Sequence, residues 1–589
     1  MKHIKEYDNI KIAIIIFLIL SIIFLLPILK NISMEGVSDW PQTHFYQEAP
    51  RKTITEYKQV PLWNPWQCGG NIQWANPLNT ASSPFFIFII LFGPIVGIKI
   101  WIMVLLFLGL LGMYLVSKIY GLKSWYAYIP PIIFFFSGTF AAYVYSGQTH
   151  LLGMSIIPWV FYFYKRSLEN HKWLFMTSIS IAMLWLTPTL YIFIFTLMIL
   201  GLTVLLDLAS VKDKNKVKDI LLITATTFLL AFLIMSIKLI PSLNIYFDNP
   251  RVIKQTDGIS MIDFTKNLLN NTNSQDHETY SYAGPLITTL IFLSLILNWR
   301  KYWKLSILSL VFLMIALGDK SPINILGLLQ NLPIFNSLHV STRYRIPFLF
   351  FASVLSGITL QKFSSFNINL NKISVKNKTI RAIIFILTLY AITNMLFTNS
   401  LIMNKTFSVE PVEKQEGIFE QTINNYEGAG YNKVNKEWIA INKNKGSVAC
   451  YETTVIPSAQ IKGGIWYYHT GAAIPKSYEF YLGEAFLLEN KSETNIIYWS
   501  PNKIVVETNP KEDFLVINQN FYKGWKVYNE KNNLNNKIYN IEGLIGTKIS
   551  KNYSSKITFY YLPKIFIISS VITILSMIII IKYNRNKWK

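Results

Sequence analysis

Residues 12–40 read IAIIIFLILSIIFLLPILKNISMEGVSDW. From Ile12 to Leu29 the run is nearly all Ile, Leu, Phe and Ala, and Lys2, Lys5 and Lys11 precede it. A hydrocarbon core takes about 20 helical residues, so this run is long enough to cross it. It is too long for the core of a signal peptide, and NISMEG supplies no small-x-small cleavage site. The expectation is an uncleaved anchor with a cytoplasmic amino terminus. The loop after it is then the first on the far side of the membrane, and Asp39 stands near its start.

Composition agrees with a lipid environment. The 589 residues are 52% hydrophobic and only 15% charged, against about 25% charged in an ordinary soluble chain. The formal net charge is +23. The basic residues do not form one stripe but fall in short clusters between apolar runs. That is the positive-inside pattern, so the charge reports topology and not nucleic-acid binding.

Further spans are expected at 98–117, 126–145, 150–164, 173–186, 189–207, 219–240, 283–298, 303–317, 345–361, 381–398 and 563–582. With the first they make about twelve. The stretch 84–97 is too short for a span and reads as a re-entrant or interfacial helix. The clusters Lys118 and Lys123, Lys165 and Arg166, Lys212 to Lys218, Arg300 to Lys304, Lys372 to Arg381 and Lys582 to Lys589 fall on alternate loops. All land on the amino-terminal side, which puts both termini in the cytoplasm of a multi-pass cell-membrane protein. The segments 30–97, 241–282, 318–344 and 399–562 then share the extracytoplasmic side.

The last of these is domain-sized. IIYWS, KIVVETN, FLVINQN, WKVYNE and KITFYY are short, rich in Val, Ile, Tyr and Phe, and separated by Asn, Lys and Gly. They predict an antiparallel β domain, a sandwich. The division is a transmembrane domain over 1–398 with a large first outer loop 30–97, a β-rich domain over 399–562, and a final span with a basic tail over 563–589. Cys68 and Cys450 both fall outside the cytoplasm. They read as unpaired packing residues, with a disulfide left open. No CxxC or HExxH occurs, so no metal site is indicated by motif.

The first loop is more than a connection. In PLWNPWQCGGNIQWANP, from Pro61 to Pro77, the prolines and glycines fix one backbone path. Trp40, Trp63, Trp66 and Trp74 suit either an interfacial belt or the wall of a site. Asp39 sits near headgroup level, where a carboxylate is costly unless paired or used. It could take a proton from a hydroxyl, or cap the helix that Trp40-Pro41 begins. Arg343 and Arg345, in HVSTRYRIPF, stand just before a span. They could hold a phosphate or snorkel to lipid headgroups. Gln42, His44, Gln148, His150, Arg251, Asp319 and His339 complete the polar residues on that face, and Asp319 suits a cap on a short helix over 321–331.

An aspartate soon after the first span resembles the GT-C glycosyltransferases, which use polyprenyl-phosphate sugars. SDWPQ, VPLWNPWQCGGNIQWANP, SGQTH, LPIFNSLHVSTRYRIPF and NQNFYKGWKVY, in that order, resemble the YfhO-like bacterial membrane proteins of that group. SSPF after the ANP stretch and Leu338-His339 before the arginine motif depart from the family pattern. The resemblance covers nearly the whole chain. It implies a GT-C membrane core with an outer β domain, and transfer of a sugar to a cell-envelope glycopolymer or glycolipid such as lipoteichoic acid.

On that reading Asp39 is the general base, and Arg343 and Arg345 hold the donor phosphate. Gln42, His44, His150, Trp63, Asn64, Trp66 and Asn76 position substrate. No cofactor is required; a divalent cation, Mg or Mn, is compatible, since some GT-C enzymes use one. The partners are the lipid-linked donor, the acceptor and membrane lipids. Tyr522, Gly524 and Trp525 read as a turn with core aromatics. A transporter or flippase of lipid-linked sugars, and a non-catalytic assembly protein of envelope polysaccharide, are the alternatives.

Overall fold

The apolar runs form helices whose side chains are hydrophobic all round, so they need lipid on one side and other helices on the other. The computed structural model describes residues 10–249, 253, 258–272, 276–364, 368–370, 373–375, 377–415, 417–422, 436–451, 460–461, 468–508, 512–529, 534–550 and 556–587. Arg251 lies outside the described residues. Among them, seven helices are long and apolar enough to cross a membrane: Phe86–Ile119, Ser124–Ser146, Leu190–Ser210, Lys214–Asp248, Trp299–Lys320, Ser341–Phe363 and Arg381–Lys405. Ile10–Phe24, Pro285–Leu297 and Lys564–Ile580 are shorter apolar helices. Ile15, Ile386 and Ile579 stay exposed on the outside of the bundle, while Phe17, Phe135, Phe161 and Phe350 are buried inside it. The chain is thus a polytopic α-helical membrane protein.

Ile10–Phe24 and Pro285–Leu297, of 15 and 13 residues, are shorter than the expected spans, and so are two more. Over 150–164 and 173–186 the chain forms Ile157–Glu169 and Leu174–Leu186, each of 13 residues. Each is about 20 Å long, short of a hydrocarbon core of about 30 Å. The 3-10 turn Thr149–Ser155 takes up the first part of the earlier run. The segment expected as a separate interfacial helix is the start of Phe86–Ile119, which breaks at Gly93 (φ 75°, ψ 173°) before Pro94.

Within 399–562 two five-stranded sheets form a sandwich, beside a three-stranded sheet of Gln460–Ile461, Tyr468–Thr470 and Ala449–Tyr451 and a parallel pair of Glu420–Thr422 with Lys445–Ser447. One five-stranded sheet orders Ser492–Glu493, Ala485–Leu487, Asp513–Asn520, Leu544–Ile549 and Ile538–Ile541; the other orders Asn495–Ser500, Lys503–Glu507, Lys556–Tyr561, Trp525–Asn529 and Leu534–Asn536. In these two, neighbouring strands are antiparallel. Leu515, Ile517 and Ile545 of one sheet meet Ile504, Val506, Val527 and Phe559 of the other. This is the alternation that a two-layer sandwich requires.

The first loop belongs to this core. Leu62, Trp63, Ile72 and Ala75 pack in the same cluster. Trp63 is fully buried and its indole donates to Gln519 Oε1 at 2.7 Å. Asn520 donates to the carbonyls of Cys68 at 2.6 Å and Gly70 at 2.8 Å. Trp66, also fully buried, donates to Asn444 at 3.1 Å. Burying an aromatic of this size removes about 150–250 Å² from water, roughly 4–6 kcal/mol of gross transfer free energy. The motifs PLWNPWQCGG and NQNFYKGW, far apart in sequence, are therefore two halves of one packed unit.

Cys68 and Cys450 are joined as a disulfide, which corrects the expectation of unpaired cysteines. The backbone brings them together: Ser447 N donates to Trp66 O, and Gly69 N to Ser447 O, each at 3.0 Å. Nothing local to either cysteine signals a partner 382 residues away. The short helix expected near Asp319 is Ile325–Leu329, and its cap is Asn324, which accepts from Gly327 N at 2.8 Å.

Candidate active site

Asp39 is placed by a turn and a clamp. Ser38 takes φ 61°, a left-handed conformation that costs a non-glycine residue about 1 kcal/mol. The helix Trp40–Thr55 starts directly after Asp39, with Pro41 in its first turn. The Asp39 carbonyl accepts from Thr43 N at 3.0 Å, so its backbone serves as the cap. Its side chain makes no capping bond. It accepts instead from Gln148 Nε2. The two readings of Asp39 are thus divided between its backbone and its carboxylate.

The turn carrying Gln148 is stitched to this helix. Asp39 N donates to Ser146 O at 3.1 Å, Trp40 Nε1 to Val144 O at 2.9 Å, and Thr43 Oγ1 to Gly147 O at 2.9 Å. Gly147 adopts φ 83°, and a Cβ there would lie 2.8 Å from Trp40 N. Only glycine allows this approach.

A third segment completes the group. Asp276 forms a tight turn, accepting from Glu278 N at 3.1 Å and Thr279 Oγ1 at 2.6 Å. Arg343 Nε donates to both Glu278 carboxylate oxygens, at 3.2 and 3.0 Å, and Nη2 donates to Glu278 Oε1. Its guanidinium also lies 4.5 Å from the Tyr191 ring centre. His150 faces the same tyrosine, with ring centres 6.1 Å apart. Arg345 is 1% exposed. It donates to the carbonyls of His277 at 2.7 Å, Thr342 at 3.1 Å and Glu278.

The two arginines expected to act alike are therefore different. Arg343 meets a carboxylate. Arg345 is a strut that fixes the 277–278 turn from behind, because its guanidinium is spent on three backbone carbonyls.

Burial pushes the Asp39 carboxyl above its usual range. His277, the Gln148 hydrogen bond and Arg343 pull against the rise, and Glu278 adds to it. Burial also opposes charge on Glu278, but Arg343 and His277 hold that carboxyl well below its usual range. Two acids in one neighbourhood are thus driven apart. One is a better base than an ordinary carboxylate, and the other keeps its charge to lower pH than an ordinary carboxylate. Among the described residues, no group of three or more His, Cys, Asp or Glu is arranged to hold a metal ion.

The remaining sequence-predicted residues lie elsewhere. Gln42 is one turn along the helix from Asp39 and donates to Tyr46 OH at 3.2 Å. His44 is fully buried between Trp40 and Trp438, with ring centres 5.5 Å away on each side. Burial pushes its imidazole down to about 3. Trp63 and Trp66 are inside the packed loop. Asn64 and Asn76 are buried turn formers, accepting from Trp66 N at 3.1 Å and Leu78 N at 2.9 Å. Apart from Gln42, these residues are buried and pack within the first loop. Sequence reasoning missed His277 and Glu278. The signal was there: Asp276-His277-Glu278 is a run of three titratable residues just before a span, in a strongly basic chain.

No protein-family model matches the chain, and no curated protein matches it. Several solved structures resemble it. Arabinofuranosyltransferase AftD from Mycobacteria is 15% identical with a TM-score of 0.42, over 67% of this chain and 27% of that one. The oligosaccharyltransferase of Archaeoglobus fulgidus, tethered with an acceptor peptide, is 11% identical with a TM-score of 0.43, over 76% of this chain and 64% of that one. ArnT from Cupriavidus metallidurans, bound to undecaprenyl phosphate, is 13% identical with a TM-score of 0.38, over 66% and 75%. The chain spans about a quarter of the length of AftD.

Proposed function

We propose that this protein is an extracytoplasmic-facing membrane glycosyltransferase of GT-C type. It transfers a sugar from a polyprenyl-phosphate donor to a hydroxyl of an envelope glycopolymer or glycolipid. The observation that carries this reading is the Asp39 carboxylate, turned away from its own helix, held by Gln148 and raised in basicity by burial. The sequence resemblance adds to it.

In the reaction the acceptor oxygen attacks the anomeric carbon while its proton passes to Asp39. The bond from that carbon to the phosphate oxygen breaks, and polyprenyl phosphate departs as an anion. Such a leaving group needs cationic donors and no second acid, in contrast to glycoside hydrolysis. Arg343 is the cation offered to it, and Glu278 fixes Arg343 in place. Direct displacement inverts the anomeric centre.

Asp39→Asn tests this. The variant should fold and melt as the parent does, while sugar addition to wall or lipoteichoic polymers is lost. Unchanged envelope glycans in a strain carrying a folded variant would remove Asp39 from catalysis and favour a transporter.

A further inference from the structure

Tyr522 and Trp525 of the motif FYKGWK pack against the sandwich core, and residues 522–526 also line a cavity. The cavity, of about 380 Å³, lies where the sandwich meets the membrane helices. Its walls come from the first loop, the end of Lys214–Asp248, residues 522–526, and the start of the last helix. Trp74, Trp525 and Phe566 give it an aromatic lining, and Lys523, Lys526 and Lys564 give it charge. Trp74 and Phe566 meet edge to face at 5.5 Å.

The charge is not balanced from within. Lys523 pairs with Asp248 at 2.6 Å, and Tyr522 OH donates to the same carboxylate at 2.7 Å. Lys526 lies over the Tyr560 ring at 5.7 Å. Neither Lys526 nor Lys564 has a carboxylate partner among the described residues. Lys564 opens the helix Lys564–Lys587, where the helix dipole disfavours a cation. An anion seated there would answer both the lysines and the dipole.

A second, independent feature points the same way. Trp525 lines the cavity and is 5% exposed. Its indole N–H is buried without an acceptor among the described residues. A buried donor left unpaired costs about 1–3 kcal/mol, which a ligand oxygen would recover. Towards the membrane from the cavity the same two helices present exposed apolar side chains: Leu229 and Phe232 on one, Ile567 and Ile568 on the other. Acyl chains would lie along them.

We infer that this cavity binds an anionic glycerophospholipid of the bilayer. Its phosphate meets Lys526 and Lys564, an ester or phosphate oxygen accepts from Trp525, and its tails run along the two helices.

The full chain is reconstituted in nanodiscs of equal phosphatidylglycerol and phosphatidylcholine, extracted in mild detergent, and its retained lipid is measured by mass spectrometry. Two lysines near a lipid phosphate should enrich phosphatidylglycerol about tenfold. The double variant Lys526→Gln/Lys564→Gln should lose that enrichment. Trp525→Phe, which keeps ring and charge, should reduce it by about half. Lys537→Gln, on a strand connection away from the cavity, should leave it unchanged, and melting curves confirm that each variant is folded. Equal retention of the two lipids, or enrichment that survives the double variant, overturns the proposal. Release of the lipid by inorganic phosphate alone does so too, since the site would then read a free anion and not a lipid.

Discussion

The side-chain amide of Gln148 donates to the carboxylate of Asp39 across 109 residues of sequence. That contact joins the first loop to the turn closing the Gly138–Ser146 helix. It also favours the charged form of an acid that burial would otherwise neutralise.

Removing this bond should move the acidic limb of activity. Asp39 already lies above its ordinary 3.8, so a base mechanism loses rate as pH falls towards that raised value. Gln148→Leu takes away a bond that stabilises the carboxylate, so the group rises further. The acidic limb should shift upward in pH. A pH-rate profile measured with donor and acceptor decides it, and a limb that stays in place would detach Gln148 from the base.

Gly147→Ala should disable the site without touching its chemistry. The added methyl meets the backbone of Asp39 and Trp40 at 2.8–2.9 Å, and φ 83° strains any side chain there. The Asp39–Gln148 bond must lengthen or break. We expect activity to fall more than about tenfold and stability by about 1–3 kcal/mol. Assays on purified protein, with a thermal melt alongside, test both halves.

The sandwich was legible because its strands are short, rich in Val, Ile, Tyr and Phe, and set between Asn, Lys and Gly, and some also alternate, as in Trp525–Asn529 and Lys556–Tyr561. The longer spans were legible from unbroken apolar length, while 150–164 and 173–186 carry that composition in helices of only 13 residues. Asp39 stood out as an acid beside lipid. Features set by distant partners escaped. Trp63 reads as a belt residue or the wall of a site until Gln519 is seen to face it. Cys68 has no local cue to Cys450. Arg345 looks like Arg343 until the carbonyls of 277 and 278 are seen around it. Periodicity encodes burial; it does not encode which buried group meets which.

Glu278→Gln should weaken the fold around Arg343. Burial opposes the Glu278 charge, yet its pairing with Arg343 and His277 takes the carboxyl well below its ordinary 4.5. A depressed acid stabilises the fold above that ordinary value, and the contribution is lost as pH falls through the folded value. The neutral variant should lose about 2–3 kcal/mol at pH 7. It should also lack that part of the parent's acid sensitivity. Melts from pH 3 to 7 in detergent compare the two slopes.

Reduction should loosen the first loop from the sandwich. The Cys68–Cys450 bond is fully buried, and such a bond contributes about 2–5 kcal/mol. Cys68→Ser/Cys450→Ser should lower the melting temperature and expose the 61–77 loop to protease. An unchanged digestion pattern would show that Asn520 and Trp63 hold the loop unaided.

Glu484 should make the β domain sensitive to alkali. The residue is 8% exposed, and its carboxyl accepts from Gln421 N at 2.7 Å and Tyr481 OH at 2.9 Å. Burial dominates those bonds and pushes it up to about 8, with Glu420 adding to the rise. An acid raised on folding binds its proton more tightly in the folded state. Its contribution is therefore complete below the ordinary 4.5 and is lost as pH rises through about 8. Glu484→Gln keeps an acceptor for Gln421 and a neutral side chain at every pH. Above pH 8 the variant should melt higher than the parent, and near pH 4 the two should converge. Parallel melting curves across that interval would mean that Glu484 is ionised in the folded protein and that water reaches it.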